Sequence, residues 1–440
     1  MTQVKNWLQR PAVILVIIGL ILPNLAFLVL YQLGIFVPPR TFPIVLYLLA
    51  AISLRFLPVP GVILIFLLAL GCDVVYCATQ IFGLAPSETL FALQFIGQLD
   101  ILSSKLYVAL ALGVSGLFGL LIFLLWRHGG HLRHANRLPL LLLGLVAVPT
   151  DVVVNTPRHS NFWLSLGRDI PFESAMGKSG YIKLVEQPNG RHMLVVIVEA
   201  MGRFADPKIQ GLLEEAIRAE GVTEKYTVTS GVNSFIGGTT AAEMREFCGT
   251  RDSYLGYLKE KRPDCLPFRM TKAGYATKAY HGFTGKMFDR DQWWPNVGFT
   301  ERVFGEDLLV PGEKLCGDVF VGICDPKLVT DIAATFKAAT EPQFSYLLTF
   351  NTHVPVIVDQ GYHHLDCAHH DARVPEREVC IMADGWVELL QGIARAWADP
   401  AMPPTEILIV GDHAPPLWYR QARDLFTPGD VSWFRLTPKG

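Results

Sequence analysis

Long apolar runs occupy the first third of the chain, whereas the remainder alternates shorter apolar stretches with polar ones. The runs form about five segments of roughly 16 to 24 residues, enough to cross the hydrocarbon core of a bilayer. They lie near 11–33, 42–58, 60–83, 105–126 and 138–155. We therefore predict a transmembrane domain over 1–155. Pro23 and Asn24 interrupt the first run and no small-residue cleavage site precedes the second, so we expect a span there and not a signal peptide.

Basic residues between the runs predict the orientation of this domain. Lys5 and Arg10 precede the first run, Arg55 follows the second, and "RHGGHLRHANR" (127–137) separates the last two. Basic loops stay in the cytoplasm, and an odd number of spans then places the chain from about 156 onward on the opposite side. The loop 84–104 falls on that outer side, where its pattern is typical of an interfacial helix or of a plain connector.

The composition agrees with a membrane protein that also carries a globular domain. The 440 residues are 51% hydrophobic and 18% charged. The mean hydropathy of +0.32 is too high for an ordinary soluble protein. The formal net charge of -2 gives no electrostatic basis for a nucleic-acid partner.

Cysteine spacing agrees with the predicted orientation, because six of the eight cysteines fall in the outer part of the chain. They are close neighbours in pairs: Cys248 and Cys265, Cys316 and Cys324, Cys367 and Cys380. An even number in an oxidising compartment suggests three local disulfides, although six cysteines allow fifteen connectivities. A zinc site is the alternative for "GYHHLDCAHHD" (361–371), which crowds four histidines around one cysteine.

The outer part of the chain is predicted to be an α/β domain over 191–440, joined to the membrane domain by a linker over 156–190. Apolar strands are predicted in "HMLVVIVEAMG" (192–202), "FSYLLTFNTHVPV" (344–356) and "EILIV" (406–410). Amphipathic helices, among them 383–398, lie between them. Strands that alternate with helices indicate a sandwich with a mostly parallel sheet.

Three predicted strands end in residues that suit a divalent metal: Glu199, His353 and the pair Asp412–His413 of "GDHAPP". Singly, Glu199 could cap the next helix and Asp412–His413 could form an ordinary turn. The carboxyl ends of parallel strands meet at one crevice, so together these residues predict one site.

A nucleophile is predicted in "FIGGTTAAEMREFCG" (235–249), where two glycines lead into Thr239, Thr240 and a helix-forming run. A hydroxyl at a helix N-terminus lies beside free backbone N–H groups that favour phosphate. A neighbouring metal would make that hydroxyl a usable nucleophile at neutral pH. The alternative is a threonine that only caps its own helix.

These residues resemble the alkaline phosphatase/sulfatase superfamily, most specifically in "GGTTAAE", "AYHGFTGKMFDRDQWWPNVGF", "TFNTHVPV" and "GDHAPP". More narrowly, the whole chain is similar to membrane-anchored phospho-alcohol transferases, namely lipoteichoic acid synthase and the phosphoethanolamine transferases. This resemblance implies an N-terminal bundle of about five spans in the bacterial inner membrane and a sulfatase-like catalytic domain in the periplasm.

The resemblance also implies a metal site that would hold zinc or manganese. Its ligands would be Glu199, Thr239, Asp412 and His413. Thr239 would be the nucleophile as well, and it is preferred to Thr240 because Glu243 then stands four residues further on.

Three further residues would bind the phosphate head group by this resemblance: His281, Arg290 and His353, with His353 or His281 as the general acid or base. Phe283 stands where the glycerol-phosphate enzymes carry an acidic residue, and Phe288 replaces a tryptophan two positions before the arginine. The paired cysteines are more similar to those of phosphoethanolamine transferases, so both head groups stay open.

The implied activity moves phosphoethanolamine or phosphoglycerol from phosphatidylethanolamine or phosphatidylglycerol to a cell-surface glycan or glycolipid, through a phospho-Thr239 intermediate. A phosphodiesterase or sulfatase-like hydrolase is the first alternative. Sulfatases of this superfamily need a Cys/Ser-x-Pro-x-Arg motif, and we do not favour a sulfatase because we expect no such motif in this chain. A non-catalytic glycan-binding membrane protein is the second alternative.

Overall fold

The computed structural model describes residues 10–84, 86–155, 172–356, 361–368 and 373–439, so residues 156–171 of the predicted linker lie outside the described residues. The chain divides into two units. The first comprises Met1–Leu90, Ser104–Gly167 and Trp418–Arg420, and the second comprises Phe91–Ser103, Arg168–Leu417 and Gln421–Gly440. We call them the membrane unit and the α/β unit.

Apolar helices form the membrane unit, as the sequence predicts. They are α1 (Pro11–Gln32, with a π-helical stretch at Ile17–Ile21), α2 (Thr41–Ser53), α3 (Val59–Phe82), α4 (Pro86–Ala92), α5 (Lys105–Leu132) and α6 (Leu138–Asn155). Among the described residues, α1, α3 and α5 are long and apolar enough to cross a membrane. The predicted second span (42–58) is too long, because α2 ends at Ser53 and Pro58 and Pro60 start the next helix. Its 13 residues rise only about 20 Å.

One buried ion pair lies inside this unit. Both guanidinium Nη atoms of Arg40 contact the carboxylate of Asp73, at 2.5 and 2.6 Å. Asn24 accepts from Arg40 Nε at 3.2 Å, and Tyr47 donates to Asp73 at 3.0 Å. Charges in an apolar bundle persist when each is paired in this way.

A mixed sheet forms the centre of the α/β unit. Its strands are β1 (His192–Val198), β2 (Gly202–Phe204), β3 (Tyr226–Ser234), β4 (Ala276–His281), β5 (Glu301–Phe304), β8 (Gln343–Leu348), β9 (Thr405–Gly411) and β10 (Phe426–Pro438), and β6 (Leu315–Cys316) and β7 (Gly322–Ile323) form a separate pair. The order is β2-β10-β9-β1-β8-β4-β5, with β3 also paired to β10. The five strands from β9 to β5 are parallel, which confirms the predicted parallel core.

Helices cover both faces of the sheet. In the α/β unit they are α7 (Ala175–Lys178), α8 (Ile182–Glu186), α9 (Pro207–Ile217), α10 (Val222–Lys225), α11 (Thr239–Cys248), α12 (Leu266–Lys272), α13 (Arg290–Val297), α14 (Gly305–Leu308), α15 (Asp325–Ala338) and α16 (Arg377–Ala398); the short α17 (Arg420–Arg423) follows. Alternate residues of β1 enter two separate cores: Leu194 and Val196 pack on one side with α9, α15 and α16, and Val195 and Ile197 on the other with α11 to α13. Burial on both faces explains why the strands are apolar runs.

Two element boundaries differ from the predictions. The strand predicted over 344–356 ends at Leu348, because the carboxylate of Asp325 accepts the backbone N–H groups of Phe350 and Asn351. The helix predicted over 383–398 begins earlier, at Arg377.

The structure contains the three local disulfides that the spacing suggests, Cys248–Cys265, Cys316–Cys324 and Cys367–Cys380. The zinc alternative at 361–371 does not fit, because the disulfide leaves Cys367 without a thiolate. His364 of this stretch contacts Glu388 at 2.6 Å, and His369 and His370 lie outside the described residues.

Candidate functional site

The register of the parallel strands brings four strand ends to one edge of the sheet. Ile197 of β1 pairs with Leu348 of β8 and with Val410 of β9, and Leu348 pairs with His281 of β4. The chain continues past this line into Glu199 after β1 and into Asp412 after β9. The carboxyl edge therefore collects these polar side chains, as in other parallel α/β proteins.

Glu199, Asp412 and His413 form a cluster whose potential ligand atoms all lie within 4.8 Å of one another. Thr239 joins them through its hydroxyl oxygen. Oγ1 lies 2.9 Å from Asp412 Oδ2, 3.4 Å from Glu199 Oε2 and 3.5 Å from His413 Nε2. The four residues come from three distant parts of the sequence, and the fold places them in one coordination-sized space.

Backbone contacts fix the orientation of the two carboxylates. Asp412 Oδ1 accepts the N–H groups of Ala200 at 2.7 Å and of His413 at 2.6 Å, which leaves Oδ2 facing Thr239. Ala200 adopts a positive φ of 58° to reach this position. Gly411 is required next to it, since a Cβ there would lie 1.9 Å from the carbonyl oxygen of Met201.

Thr239 does not cap its own helix. The N-cap of α11 is Gly238, which has extended backbone angles, and no side chain caps that end. The capping alternative for Thr239 is therefore wrong. Its hydroxyl instead points into the carboxylate cluster, beside the free N–H groups of the first turn.

The cluster has the charge and the unsatisfied atoms of a cation site. Glu199 is 4% exposed, and within the described part of the chain its Oε1 has no hydrogen-bond partner. Burial, and next the negative charge of Asp412, raise the pKa of Glu199. His413 Nδ1 donates to the carbonyl of Ala414 at 3.0 Å, so Nε2 faces the carboxylates with a lone pair that could bind a metal. Two carboxylates and one imidazole nitrogen are a donor set that suits zinc or manganese.

Two neutral imidazoles lie at the same edge of the sheet. Burial and the Arg290 charge lower the pKa of His281 to about 3, and burial lowers the pKa of His353 to about 4. Each ring directs Nδ1 to a backbone carbonyl, of Leu348 and Val354 respectively. This arrangement leaves both Nε2 atoms as acceptors, and that of His353 lies 4.0 Å from Glu199 Oε1.

Arg290 is buried and already paired, which the sequence reasoning did not anticipate. Its Nε and Nη2 donate to Glu243 Oε2 at 3.2 and 3.1 Å. Trp294 Nε1 and the Tyr346 hydroxyl donate to the other oxygen of Glu243. Only the four-residue spacing from Thr239 drew attention to Glu243 in the sequence, and nothing there predicted its partners.

Arg245 is a second buried residue that sequence reasoning missed. Its guanidinium donates to the carbonyls of Gly411 at 3.1 Å and Asp412 at 3.4 Å, and Nε contacts Glu246 at 2.6 Å. Helix α11 thus carries both Thr239 and the group that holds the Asp412 turn. In the sequence, the signal for Arg245 was its position in the same helix-forming run as Thr239.

Aromatic side chains line the region of His281 and His353. The rings of Phe283 and Phe350 contact His281, with centroids 6.3 and 6.0 Å away. Phe320 lies 3.9 Å from the His353 ring, centroid to centroid. Phe320 was not predicted as part of the site, because no motif surrounds it.

The letters of the sulfatase motif do occur in the chain, at "CLPFR" (265–269), away from the predicted nucleophile. Cys265 is 2% exposed and forms a disulfide with Cys248. Cys248 ends the ten-residue helix that Thr239 begins, about 14 Å along its axis. An oxidised, buried cysteine at that distance does not supply the nucleophile of this site.

The sheet and the cluster at its carboxyl edge define an α/β sandwich with a candidate metal centre. Residues 191–376 match the Sulfatase family. This match covers most of the α/β domain, and over those residues it confirms the resemblance to the alkaline phosphatase/sulfatase superfamily. No curated protein sequence matches the chain.

Several solved structures are similar to part of the chain. The lipoteichoic acid synthase LtaP from Listeria monocytogenes has 16% identity and a TM-score of 0.40, with 56% of this chain and 65% of that one covered. The phosphoglycerol transferase GacH from Streptococcus pyogenes, in complex with sn-glycerol-1-phosphate, has 15% identity and a TM-score of 0.40, with 60% and 74% covered. The C-terminal periplasmic domain of EcEptC from Escherichia coli, in complex with Zn, has 12% identity and a TM-score of 0.32, with 57% and 73% covered. The chain therefore spans slightly less than two thirds of the Listeria protein, and these similarities are too low to assign an activity.

Proposed function

We propose that this protein is a metal-dependent transferase that moves a phospho-alcohol head group from a membrane phospholipid to a glycan or glycolipid hydroxyl. The observation that carries the proposal is the position of Thr239. A threonine hydroxyl at the start of a helix, 2.9 to 3.5 Å from Asp412 and His413, is placed to become a phosphate acceptor.

Glu199, Thr239, Asp412 and His413 would hold the divalent cation. When bound, it would neutralise phosphate charge and favour the ionised threonine oxygen. The partnerless oxygen of Glu199 among the described residues supports this assignment, since a buried carboxylate beside another is costly without a cation.

In the first half of the reaction, Thr239 Oγ1 attacks phosphorus of the donor lipid. A bond forms between Oγ1 and phosphorus as the hydroxyl proton passes to Asp412 Oδ2, the bond from phosphorus to the diacylglycerol oxygen breaks, and the same proton count is restored when diacylglycerol leaves with one proton. The head group stays on the protein as phospho-Thr239. Asp412 Oδ2, which accepts the hydroxyl hydrogen bond at 2.9 Å, is positioned to hold the oxygen for attack.

In the second half, an acceptor hydroxyl attacks the same phosphorus and the bond to Oγ1 breaks, which restores Thr239. His353 is neutral near pH 7, because burial lowers its pKa to about 4. With Nε2 free, it is the proposed base for the acceptor proton, and His281 is the second candidate. Arg290, which stays paired with Glu243, would act on the phosphate through its charge, and His281 Nε2 would accept a hydrogen bond from the head group.

The aromatic surroundings favour ethanolamine over glycerol as the head group. Phe283 and Phe320 offer no acceptor for glycerol hydroxyls, whereas aromatic faces attract an ammonium group. Phosphatidylethanolamine is thus the first donor to test and phosphatidylglycerol the second. The three disulfides support an oxidising compartment, and with the apolar helices they support an inner-membrane protein whose α/β unit lies in the periplasm.

The test uses the full-length protein in vesicles that contain either phospholipid labelled in the head group. Label on the protein, diacylglycerol release and mass added to extracted glycans are read together. Wild type should release diacylglycerol and capture label, and Thr239→Ala should do neither.

Thr240→Ala is the matched control, because it makes the same change one residue away and should retain activity. Undiminished diacylglycerol release by Thr239→Ala would overturn the assignment of the nucleophile. Release of the head group into water with no gain on any glycan would identify a hydrolase instead.

A further inference from the structure

A short segment of the loop between α3 and α5 belongs structurally to the α/β unit. This surface segment, Phe91–Ser103, contains the 3-10 turns Leu93–Gln98 and Ile101–Ser103. Phe95 is 5% exposed and lies 5.7 Å from Phe288, ring centroid to centroid. The backbone N–H of Asp100 donates to the carbonyl of Val319 at 3.0 Å. One side of the segment is thus fixed to the domain.

The other side of the segment is apolar and exposed. Leu93, Ile96 and Leu102 are 53%, 46% and 83% exposed. The stretch 86–104 holds Glu88 and Asp100 as its charged residues and contains neither lysine nor arginine. Large apolar side chains left open on a segment whose other side is buried indicate a surface made for contact with another apolar phase.

Covalent connection limits where this surface can lie. Lys105 begins α5, which is long and apolar enough to cross a membrane, and only Ser103 and Ser104 separate it from Leu102. Three peptide steps span at most about 11 Å. The most exposed leucine of the segment is therefore held within about 11 Å of the start of α5, where a membrane-spanning helix meets the phospholipid head groups.

We propose that the exposed side of Phe91–Ser103 inserts into the bilayer, at the boundary between head groups and acyl chains. The occupant of this surface is the phospholipid leaflet in which α5 is embedded. Amphipathic segments with exposed leucine and isoleucine bind such interfaces through the apolar area they bury.

The buried side of Phe91–Ser103 packs beside the proposed head-group region, which relates the lipid contact to the proposed reaction. Phe95 packs in one cluster with Phe283 and Phe350, and these two rings contact His281. A lipid held by Leu93, Ile96 and Leu102 would thus lie on the same segment that packs beside the head-group region. This role in donor delivery rests on the proposed function, whereas the lipid contact itself does not.

Spin labels test the contact without any assay of activity. Leu102→Cys and Ile96→Cys would be labelled in the full chain, reconstituted in phosphatidylethanolamine and phosphatidylglycerol vesicles, with the free Cys72 and Cys77 replaced by serine. Oxygen should increase the spin relaxation rate of both labels, whereas a water-soluble nickel complex should have little effect on it. A label at Lys208, an exposed charged residue of α9, should show the reverse.

Two outcomes would overturn the proposal. Labels at 96 and 102 that respond to the nickel complex as Lys208 does would place the segment in water. Labels that are shielded from both reagents would show that a second copy or another protein covers the surface in place of lipid.

A kinetic comparison tests the role in donor delivery. Leu102→Glu should lower the ratio of the rate on bilayer donor to the rate on a water-soluble short-chain donor by about tenfold. Gln98→Glu adds the same charge to an exposed polar position of the segment and should leave the ratio unchanged. An unchanged ratio in Leu102→Glu would refute delivery. Wild type that uses neither donor would refute the proposed function, while the spin labels would still decide the lipid contact.

Discussion

Two buried glutamates of the α/β unit, Glu199 and Glu243, differ in how their charge is compensated. Glu243 accepts from Arg290, Trp294 and Tyr346, so both of its oxygens are satisfied by the protein. Glu199 accepts one long contact from Thr239 at 3.4 Å, and its other oxygen has no partner in the described residues. Burial is the first cause that raises the pKa of each.

The difference separates a carboxylate whose charge the protein compensates from one whose charge it leaves uncompensated. A buried anion is tolerated when an internal cation and hydrogen bonds replace its water. Glu243 meets that condition with groups from its own chain. Glu199 has Asp412 as its charged neighbour, and the second negative charge favours either a proton on Glu199 or a bound cation.

The largest expected effect comes from Glu199→Gln. We expect transfer to fall by about 10²–10³-fold, the scale of losing one preorganised electrostatic group. The isolated protein should also hold less metal by elemental analysis. In the presence of a chelator the variant should unfold at a higher temperature than wild type, because the repulsion with Asp412 is gone. A metal content equal to that of wild type would remove Glu199 from the ligand set.

Glu243→Gln makes the same chemical change with the opposite expected result. Arg290 is 3% exposed, so the variant leaves a buried guanidinium without its anion and should lose roughly 3–5 kcal/mol of unfolding free energy. Denaturant unfolding in detergent measures this loss, and the metal content should stay at the wild-type level. A variant as stable as wild type would mean that water, not Glu243, compensates Arg290.

The apolar N-terminal helices and the parallel core could be predicted from sequence because both leave a continuous pattern. Apolar runs long enough for a bilayer and strands buried on both faces need no partner to be recognised. The end of β8 at Leu348 could not be predicted, because it depends on Asp325, a residue from a distant helix.

Candidate site residues were found where the chain itself marks a strand end or a glycine-flanked helix start, as at Glu199, Asp412 and Thr239. The residues that hold these side chains in position were not found from the sequence. Arg245 reaches the carbonyl of Gly411, 166 residues away, and Tyr346 reaches Glu243 across 103 residues. Such contacts exist only in the folded chain, so their residues look ordinary in the sequence.

A smaller effect is expected at the disulfide between Cys248 and Cys265. The double variant Cys248→Ser/Cys265→Ser opens a loop with a sequence separation of 17 and should cost about 3 kcal/mol of unfolding free energy. Transfer by the remaining folded protein should persist, because the nucleophile lies at the other end of α11. Complete loss of activity in protein that is still folded would indicate that Cys265 of "CLPFR" takes part in the reaction.

The smallest effect is a pH dependence from His281. Burial and the Arg290 charge lower its folded pKa to about 3, from 6.5. As pH falls below 6.5, His281 binds a proton in the unfolded chain but not in the folded chain. The free energy of unfolding therefore falls on acidification. Between pH 6.5 and 5 one such histidine removes roughly 1.6 kcal/mol. Urea unfolding in chelator should show that His281→Gln lacks this loss relative to wild type, while Glu199 and His353 contribute equally to both curves. Parallel curves would mean that His281 binds its proton at the same pH in the folded and the unfolded chain.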